Sequence, residues 1–202
     1  MTKSRVEAFS DGVLAIIITI MVLEMRVPHG ADLGALKPLI PVFVAYVLSF
    51  VYLAIYWNNH HHLFQTVKHV NGGVLWANMH LLFWLTTVPF VTGWVGENHA
   101  ATIPVVLYGG VFLMAACAYF VLTRTLLPLH GHDSALARAL GNDFKGKISI
   151  VMYVAAMGLA FVSPWIAIAL YAAVAVIWLI PDRRMERALM HMEHAEHGGG
   201  AA

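Results

Sequence analysis

Charge is scarce in this chain. Of its 202 residues only 11% are Asp, Glu, Lys or Arg, while 60% are hydrophobic; an average soluble domain is about 25% charged and about 45–50% apolar. A water-soluble globule of this length cannot hide so much apolar surface, so the chain reads as an integral membrane protein. The net charge is +1 with histidine neutral, which leaves no basic surplus to hold nucleic acid. Cysteine is nearly absent as well. Cys117 stands alone in an apolar run, so it can form no intrachain disulfide, and a buried, inert thiol is expected. No cleavable leader is expected: charged residues come first, but no small-residue cleavage site follows a short apolar core. No Ser/His/Asp nucleophile arrangement, Gly-rich phosphate loop or paired-carboxylate motif occurs, so neither an enzyme nor a cofactor is expected. No motif recurs, which argues against an internal duplication.

What the chain has in abundance is long apolar runs. A helix needs about 20 mostly apolar residues to cross the hydrocarbon of a bilayer, and six segments suggest themselves, at roughly 8–27, 39–62, 73–95, 103–127, 147–162 and 164–181. The fifth is short, and Pro164 divides it from the sixth with almost no loop. Proline disfavours helix at the residue before it, so a tight turn at Ser163-Pro164 is expected; one long kinked helix is the alternative. Lysine and arginine set the orientation. With the N-terminus in the cytoplasm, Lys3, Arg5, Lys68, Arg124, Arg138, Lys145, Lys147, Arg183, Arg184 and Arg187 face inward and only Arg26 and Lys37 outward, ten of the 12 basic residues. That is a strong positive-inside bias. Both termini are then cytoplasmic, which requires an even number of spans. The expected fold class is all-α, an integral membrane protein with six transmembrane helices over residues 1–182 and a cytoplasmic tail over 183–202. The polar stretch 129–147, with Gly131, Asp133, Asn142 and Asp143, reads as the longest loop, carrying a short surface helix. The tail "DRRMERALMHMEHAEH" has two readings: a helix on the inner membrane surface with arginines facing anionic lipid, or a frayed polar end.

The first span has an instructive periodicity. At about 100° per residue, with Ile16 taken as zero, Gly12, Thr19, Ile20 and Leu23 fall at about −40°, −60°, +40° and −20°. These residues form one stripe of bulky aliphatics flanked by a small residue and a hydroxyl. Such stripes line ordinary lipid- or core-facing helix sides, and they also line hydrophobic constrictions in a water path; periodicity alone does not choose. Asp11 lies in the same helix, near the cytoplasmic interface, where an ionisable group is costly without a partner. Arg5 is six residues earlier, about 240° around the helix, and so on another face. The second span runs back inward and ends at the same depth in "YWNNHHHLF", which holds Trp57, Asn58, Asn59, His60, His61 and His62. Indole and imidazole N–H groups donate, and Ser10 and Asp11 accept. An inter-helix network of Ser10, Asp11, Trp57 and one of His60 or His61 is expected, clamping the first helix at a fixed rotation. The alternative is that each group meets lipid headgroups separately.

At these residues the chain resembles the transmembrane protein 175 potassium channels. "RVEAFSDGVLAIIIT" matches their Arg-x-x-x-Phe-Ser-Asp pattern through Arg5, Phe9, Ser10 and Asp11. "WNNHHHLF" matches a Trp-x-x-His-His-x-x-Phe pattern at the end of their second helix, through Trp57, His60, His61 and Phe64. The resemblance extends to the six-helix layout, though its specific motifs occupy two short stretches. It implies a potassium-permeable, modestly selective cation channel whose pore is lined by the first helix of each repeat. It further implies a bacterial single-repeat member, a homotetramer in contact with lipid in the bacterial inner or plasma membrane, passing potassium and other monovalent cations. In that pattern Ile16 is the narrowest apolar ring, Ile20 and Leu23 are further rings, and Thr19 is the hydroxyl associated with selectivity. Gly12 departs from the commoner alanine, and His62 extends the usual histidine pair. No Thr-Val-Gly-Tyr-Gly filter occurs, so discrimination rests on a hydrophobic neck. Glu24 and Glu97 on the outer side raise the local cation concentration or stand as solvated loop-edge charges.

Three other functions compete. A metal site draws on the 12 histidines, but His60, His61 and His62 are consecutive on a helix and point about 100° apart, so they cannot share one ion. His191, His194 and His197, with Glu193 and Glu196, could take zinc or nickel weakly, without the closed geometry of a structural site; no metal is expected. A secondary cation transporter usually shows inverted repeats and broken helices at the midplane, and the first helix here is uninterrupted. A proton-permeable channel is left open by the resemblance, and histidines near Asp11 titrate in the right range.

Overall fold

The computed structural model describes residues 2–131, 134, 136–137 and 143–179. Its helices are α1 (Lys3–Leu23), α2 (Ile40–Gln65), α3 (Gly72–Thr86), α4 (Val88–Glu97), α5 (Thr102–His130), α6 (Phe144–Leu159) and α7 (Pro164–Leu179). A 3-10 turn at Leu33–Leu39 leads into α2. No strand occurs among the described residues, so the described chain is all-helical. The tail at 183–202 and most of the loop expected to carry a surface helix lie outside the described residues.

Proline sets several of the boundaries. The apolar run expected at 73–95 is two helices, because Pro89 lacks an N–H and its ring displaces the carbonyl one turn back. Just before this break the Thr86 and Thr87 hydroxyls donate to the carbonyls of Phe83 and Trp84, each at 2.7 Å. Pro164 opens α7 at the position where a missing N–H costs nothing, after a turn over Ala160–Ser163. The first helix starts earlier than expected, at Lys3, and ends at Leu23, ahead of the irregular segment that leads to Pro28. Asp11 therefore sits eight residues into α1, about 12 Å from its start.

Among the described residues four helical stretches are long and apolar enough to cross a bilayer: Lys3–Leu23, Leu33–Gln65, Gly72–Glu97 and Thr102–His130. The described α6 and α7 have 16 residues each, about 24 Å of helix against a hydrocarbon core of about 30 Å.

α5 is the hub, packed against α3, α4, α6 and α7, while α1 lies against α2, α3 and α4. In the interior the Tyr52 ring stacks on Phe112 at 4.2 Å, and its hydroxyl donates to the Tyr171 carbonyl at 2.6 Å. Gly109 lets α7 approach α5, because any Cβ there would collide with the Tyr171 hydroxyl. Ser49 Oγ meets Thr92 Oγ1 at 2.7 Å and the Tyr108 hydroxyl at 3.1 Å, an inter-helix polar tie of the kind that holds membrane bundles together. Among the described residues every buried side-chain nitrogen and oxygen has a hydrogen-bond partner. Cys117 on α5 is half-buried rather than fully buried.

Candidate functional site on the first helix

α1 has two unlike faces. Val6, Ser10, Leu14, Ile17 and Met21 are buried against the bundle. On the other side Ile16 is 60% exposed, Ile20 42% and Leu23 76%, and Gly12 and Thr19 are exposed beside them. The stripe read from helical periodicity thus faces outward along one side of a single subunit. Phe9 belongs to it too. It is seven residues before Ile16, about 20° away around the helix, and is exposed rather than packed among the polar groups of the motif. Thr19 is held by its own helix, its hydroxyl donating to the Ala15 carbonyl at 2.8 Å. Beside the stripe runs a groove of about 580 Å³ between α1 and α4, with Ile16, Ile20 and Glu24 on one wall and Phe90, Trp94 and Glu97 on the other. Glu97 is paired with Arg26 at 3.3 Å, both well exposed. Its charge is thereby offset locally, at a gain of at most about 1 kcal/mol.

The polar groups on and around the motif fall into two clusters rather than one. In the outer cluster the Trp57 indole N–H donates to Asp11 Oδ1 at 3.0 Å, and the His61 ring stacks on Trp57 at 5.9 Å with 16° between planes. His61 Nε2 in turn accepts from Gln65 at 2.8 Å. In the inner cluster Ser10 does not meet Trp57. Its hydroxyl donates to the Val6 carbonyl at 2.8 Å and accepts from Asn78 Nδ2 at 2.9 Å. Asn78 Oδ1 faces His60 Nε2 at 2.8 Å. Because the Asn78 amide nitrogen donates to Ser10, its oxygen is the acceptor and His60 Nε2 carries the proton. Every donor then points the same way, from His60 through Asn78 and Ser10 to Val6. Ser10, His60 and Asn78 are all essentially buried, and His60 also stacks on Phe64 at 4.5 Å. Arg5 is exposed and joins neither cluster, as its place around the helix requires.

Asn78 is the residue that sequence reasoning missed. It lies on α3 within "WANMHLLFW", and an amide in so apolar a run is itself a signal, since intramembrane polar groups are costly unless paired. α1 is consequently tied at nearly one depth to two of its three neighbours, to α2 by Asp11–Trp57 and to α3 by Ser10–Asn78. Two bonds on successive residues fix its rotation and hold the Ile16 side turned away from the bundle. Chemically the arrangement offers no nucleophile and no acid–base pair. It offers an aliphatic surface on a clamped helix, which needs lipid or other chains to cover it.

A family model described as the endosomal/lysosomal potassium channel TMEM175 matches residues 5–89, which include both clusters. The chain is 55% identical over 189 residues to a potassium channel of Chryseobacterium sp. (strain P1-3), spanning 94% of this chain and 98% of that one. It is 33% identical over 194 residues to a potassium channel of Streptomyces collinus, spanning 87% and 91% of the two chains. Among solved structures it is similar to a lysosomal potassium-selective channel TMEM175 homolog from Chamaesiphon minutus. That likeness has a TM-score of 0.76 and 30% identity and covers 88% of this chain and 96% of that one. Over 33% of its length the chain is also 42% identical to the endosomal/lysosomal proton channel TMEM175 of Gallus gallus, of which it covers 16%.

Proposed function

This chain belongs to the TMEM175 channel family, and from that premise we propose that it is a potassium-permeable, modestly selective cation channel formed by four copies around a pore lined by α1. Its family and relatives are ion channels, not enzymes. The observation that carries the pore reading is the one-sidedness of α1: Ile16, Ile20 and Leu23 are uncovered within the subunit while the opposite face is buried and clamped. Four such faces around an axis make a throat of stacked aliphatic rings with Ile16 the narrowest. Aliphatic rings cannot coordinate a bare ion, so a passing cation keeps part of its water or loses hydration energy. Potassium is less tightly hydrated than sodium and crosses more easily, and discrimination of this origin is modest. When the throat is narrow enough it dewets, which closes it. Thr19, with its hydroxyl proton on its own helix, presents oxygen lone pairs to the passing ion.

In this reading α1, α2, the α3–α4 pair, α5, α6 and α7 are six crossings with both termini cytoplasmic, in a bacterial plasma membrane, and residues 1–182 form the channel repeat. Local thinning of the bilayer accommodates the short α6 and α7. Glu24 sits at the outer end of the α1 groove, one residue past Leu23, and without an ion-pair partner among the described residues it attracts cations. The test is Ile16→Asn in planar bilayers. A polar side chain at the narrowest ring should raise unitary conductance and draw the potassium and sodium reversal potentials together. A well-folded Ile16→Asn tetramer with unchanged current would remove Ile16 from the pore.

Proton permeation is the second reading, favoured by the relatives named proton channels that match about a third of this chain. Reversal potentials in a pH gradient at symmetrical potassium separate it from the first. Saturable coupled flux without single-channel steps would indicate a secondary transporter instead.

A further inference from the structure

Two uncovered stripes flank α1, and both follow the alternating three- and four-residue steps of a coiled-coil seam. On α2 the stripe is Phe43, Val47, Phe50, Ala54 and Trp57. On α3 and α4 it is His80, Phe83, Thr87, Phe90 and Trp94. Every one of these residues is exposed or half-buried within the subunit. The stripes meet α1 on different sides. Trp57 reaches it at Asp11, which lies at about −140° from Ile16 around the helix. Phe90 and Trp94 face it across the groove, whose α1 wall of Val13, Ile17 and Ile20 falls at about +40° to +100°.

Each side also holds one unsatisfied polar group. Trp84 donates its indole N–H to His80 Nε2 at 3.0 Å, so the neutral imidazole carries its proton on Nδ1. No described residue accepts that proton. Asp11 takes the Trp57 proton on Oδ1, and no described residue donates to its Oδ2. The two groups are level. The Ser10–Asn78 bond aligns α1 with α3, which runs the same way. Asp11 is one residue past Ser10 and His80 two past Asn78, so they differ in depth by about 1.5 Å. Rotation about an axis normal to the membrane leaves depth unchanged. In a ring of copies, His80 of one is therefore level with Asp11 of the next.

We infer that each copy seats its α2 stripe on the α3–α4 stripe of the next copy, head to tail, with His80 Nδ1–H donating to the neighbouring copy's Asp11 Oδ2. This contact rests on the pore reading for its axis, and it supplies the surface that brings the α1 helices together. Trp57 is level with Asp11 through their bond, and α2 runs opposite to α3 and α4. The rungs are then Trp57 with His80, Ala54 with Phe83, Phe50 with Thr87, Val47 with Phe90 and Phe43 with Trp94. A small residue meets a ring at Ala54–Phe83 and at Phe50–Thr87, which suits the knobs-into-holes packing of a seam. Lipid would cover the rings but leave the His80 proton and the Asp11 oxygen unpaired inside the membrane, where that is costly. A two-fold contact would set like stripe on like stripe and close at two copies; a head-to-tail contact builds a ring.

Disulfide crosslinking in membranes tests it, in full chains whose native thiol is removed by Cys117→Ala. Chains with Ala54→Cys and differently tagged chains with Phe83→Cys are co-expressed and oxidised with copper phenanthroline. A linked pair bearing both tags is expected, and neither chain should link to its own kind. Ala54→Cys with Phe90→Cys, off register by about 10 Å, should give no product. Absence of the mixed pair, or same-kind pairs in equal yield, overturns the interface. Ile16→Cys alone reports on the axis, because the pore reading gathers its four thiols there. An Ile16 product without the Ala54–Phe83 product sinks the interface and spares the pore; absence of both sinks both. His80→Phe keeps the bulk and removes the donor. It should raise the subunit dissociation constant in detergent about 3- to 20-fold per contact, with little effect in an Asp11→Ala background that has no acceptor left. No change in the wild-type background, or an equal change in both, would overturn the His80–Asp11 bond.

Discussion

Replacing Asn78 with alanine perturbs the buried half of the clamp on α1. Asn78 is 2% exposed and is bonded through both ends of its amide, to Ser10 Oγ at 2.9 Å and to His60 Nε2 at 2.8 Å. Ser10 keeps its own bond to the Val6 carbonyl and loses only an incoming donor. His60 fares worse, because its Nε2 proton is left without an acceptor in a site that is itself 2% exposed. Side-chain hydrogen bonds between membrane helices average about 0.6 kcal/mol with a maximum near 1.7, and an orphaned buried donor costs about 1–3 kcal/mol. Asn78→Ala should therefore destabilise the fold by about 2 kcal/mol, mostly through His60. A double-mutant cycle with Ser10→Ala isolates the bond between α1 and α3, and its coupling should be about 0.6–1.7 kcal/mol. Denaturant unfolding in a mild detergent, followed by tryptophan fluorescence, measures all four corners. An Asn78→Ala protein as stable as the wild type, or a coupling indistinguishable from zero, would refute the chain of bonds and leave the rotation of α1 to some other cause.

Other expectations follow from the same geometry. Asp11→Ala removes the acceptor of the Trp57 indole, and it should lower oligomer stability in detergent more than it alters permeation; a stable assembly with changed selectivity would reverse that assignment. Gly109→Ala places a methyl group against the Tyr171 hydroxyl and the Met157 side chain, at a cost of about 1–3 kcal/mol in thermal unfolding; a neutral effect would show that α5 and α7 are not so close. Burial raises the Asp143 carboxyl above its ordinary value, against the Gly146 amide, Lys147 and Arg124, which lower it. The folded protein thus holds this proton more readily than the unfolded chain does. The associated stability is full below the ordinary value of about 3.9 and is lost as pH rises through the raised one. Asp143→Asn should remove that decline, and parallel stability curves for wild type and variant across the window would contradict it.

The α1 stripe was legible in the sequence because a helix has one period. Once residues 8–27 read as helix, Ile16, Ile20 and Leu23 had to share a side. The partner of Asp11 was legible for a different reason: a carboxylate in an apolar helix needs a donor, and the second span brings Trp57 back to the same depth. The division of the polar groups was not legible. Ser10 and Asp11 are neighbours in sequence but about 100° apart around α1, so they face different helices, and only the packing shows that Ser10 turns to α3 while Asp11 turns to α2. Asn78 escaped notice because its neighbours read as a plain apolar span. Phe9 was placed with the motif it belongs to in sequence, whereas its angle puts it with Ile16. The break between α3 and α4 was written in Pro89, yet hydropathy averaged over a window runs through a single proline.

Composition by itself determined that this chain lives in a membrane, because no fold of this length can shield so large an apolar fraction from water. Local periodicity determined which side chains lie along one face of α1, since that depends only on the turn of the helix. Which way that face points was decided by tertiary structure. The answer lies in bonds between residues far apart in the chain, Asp11 with Trp57 and Ser10 with Asn78, and a helix carries no preferred rotation until a neighbour supplies one.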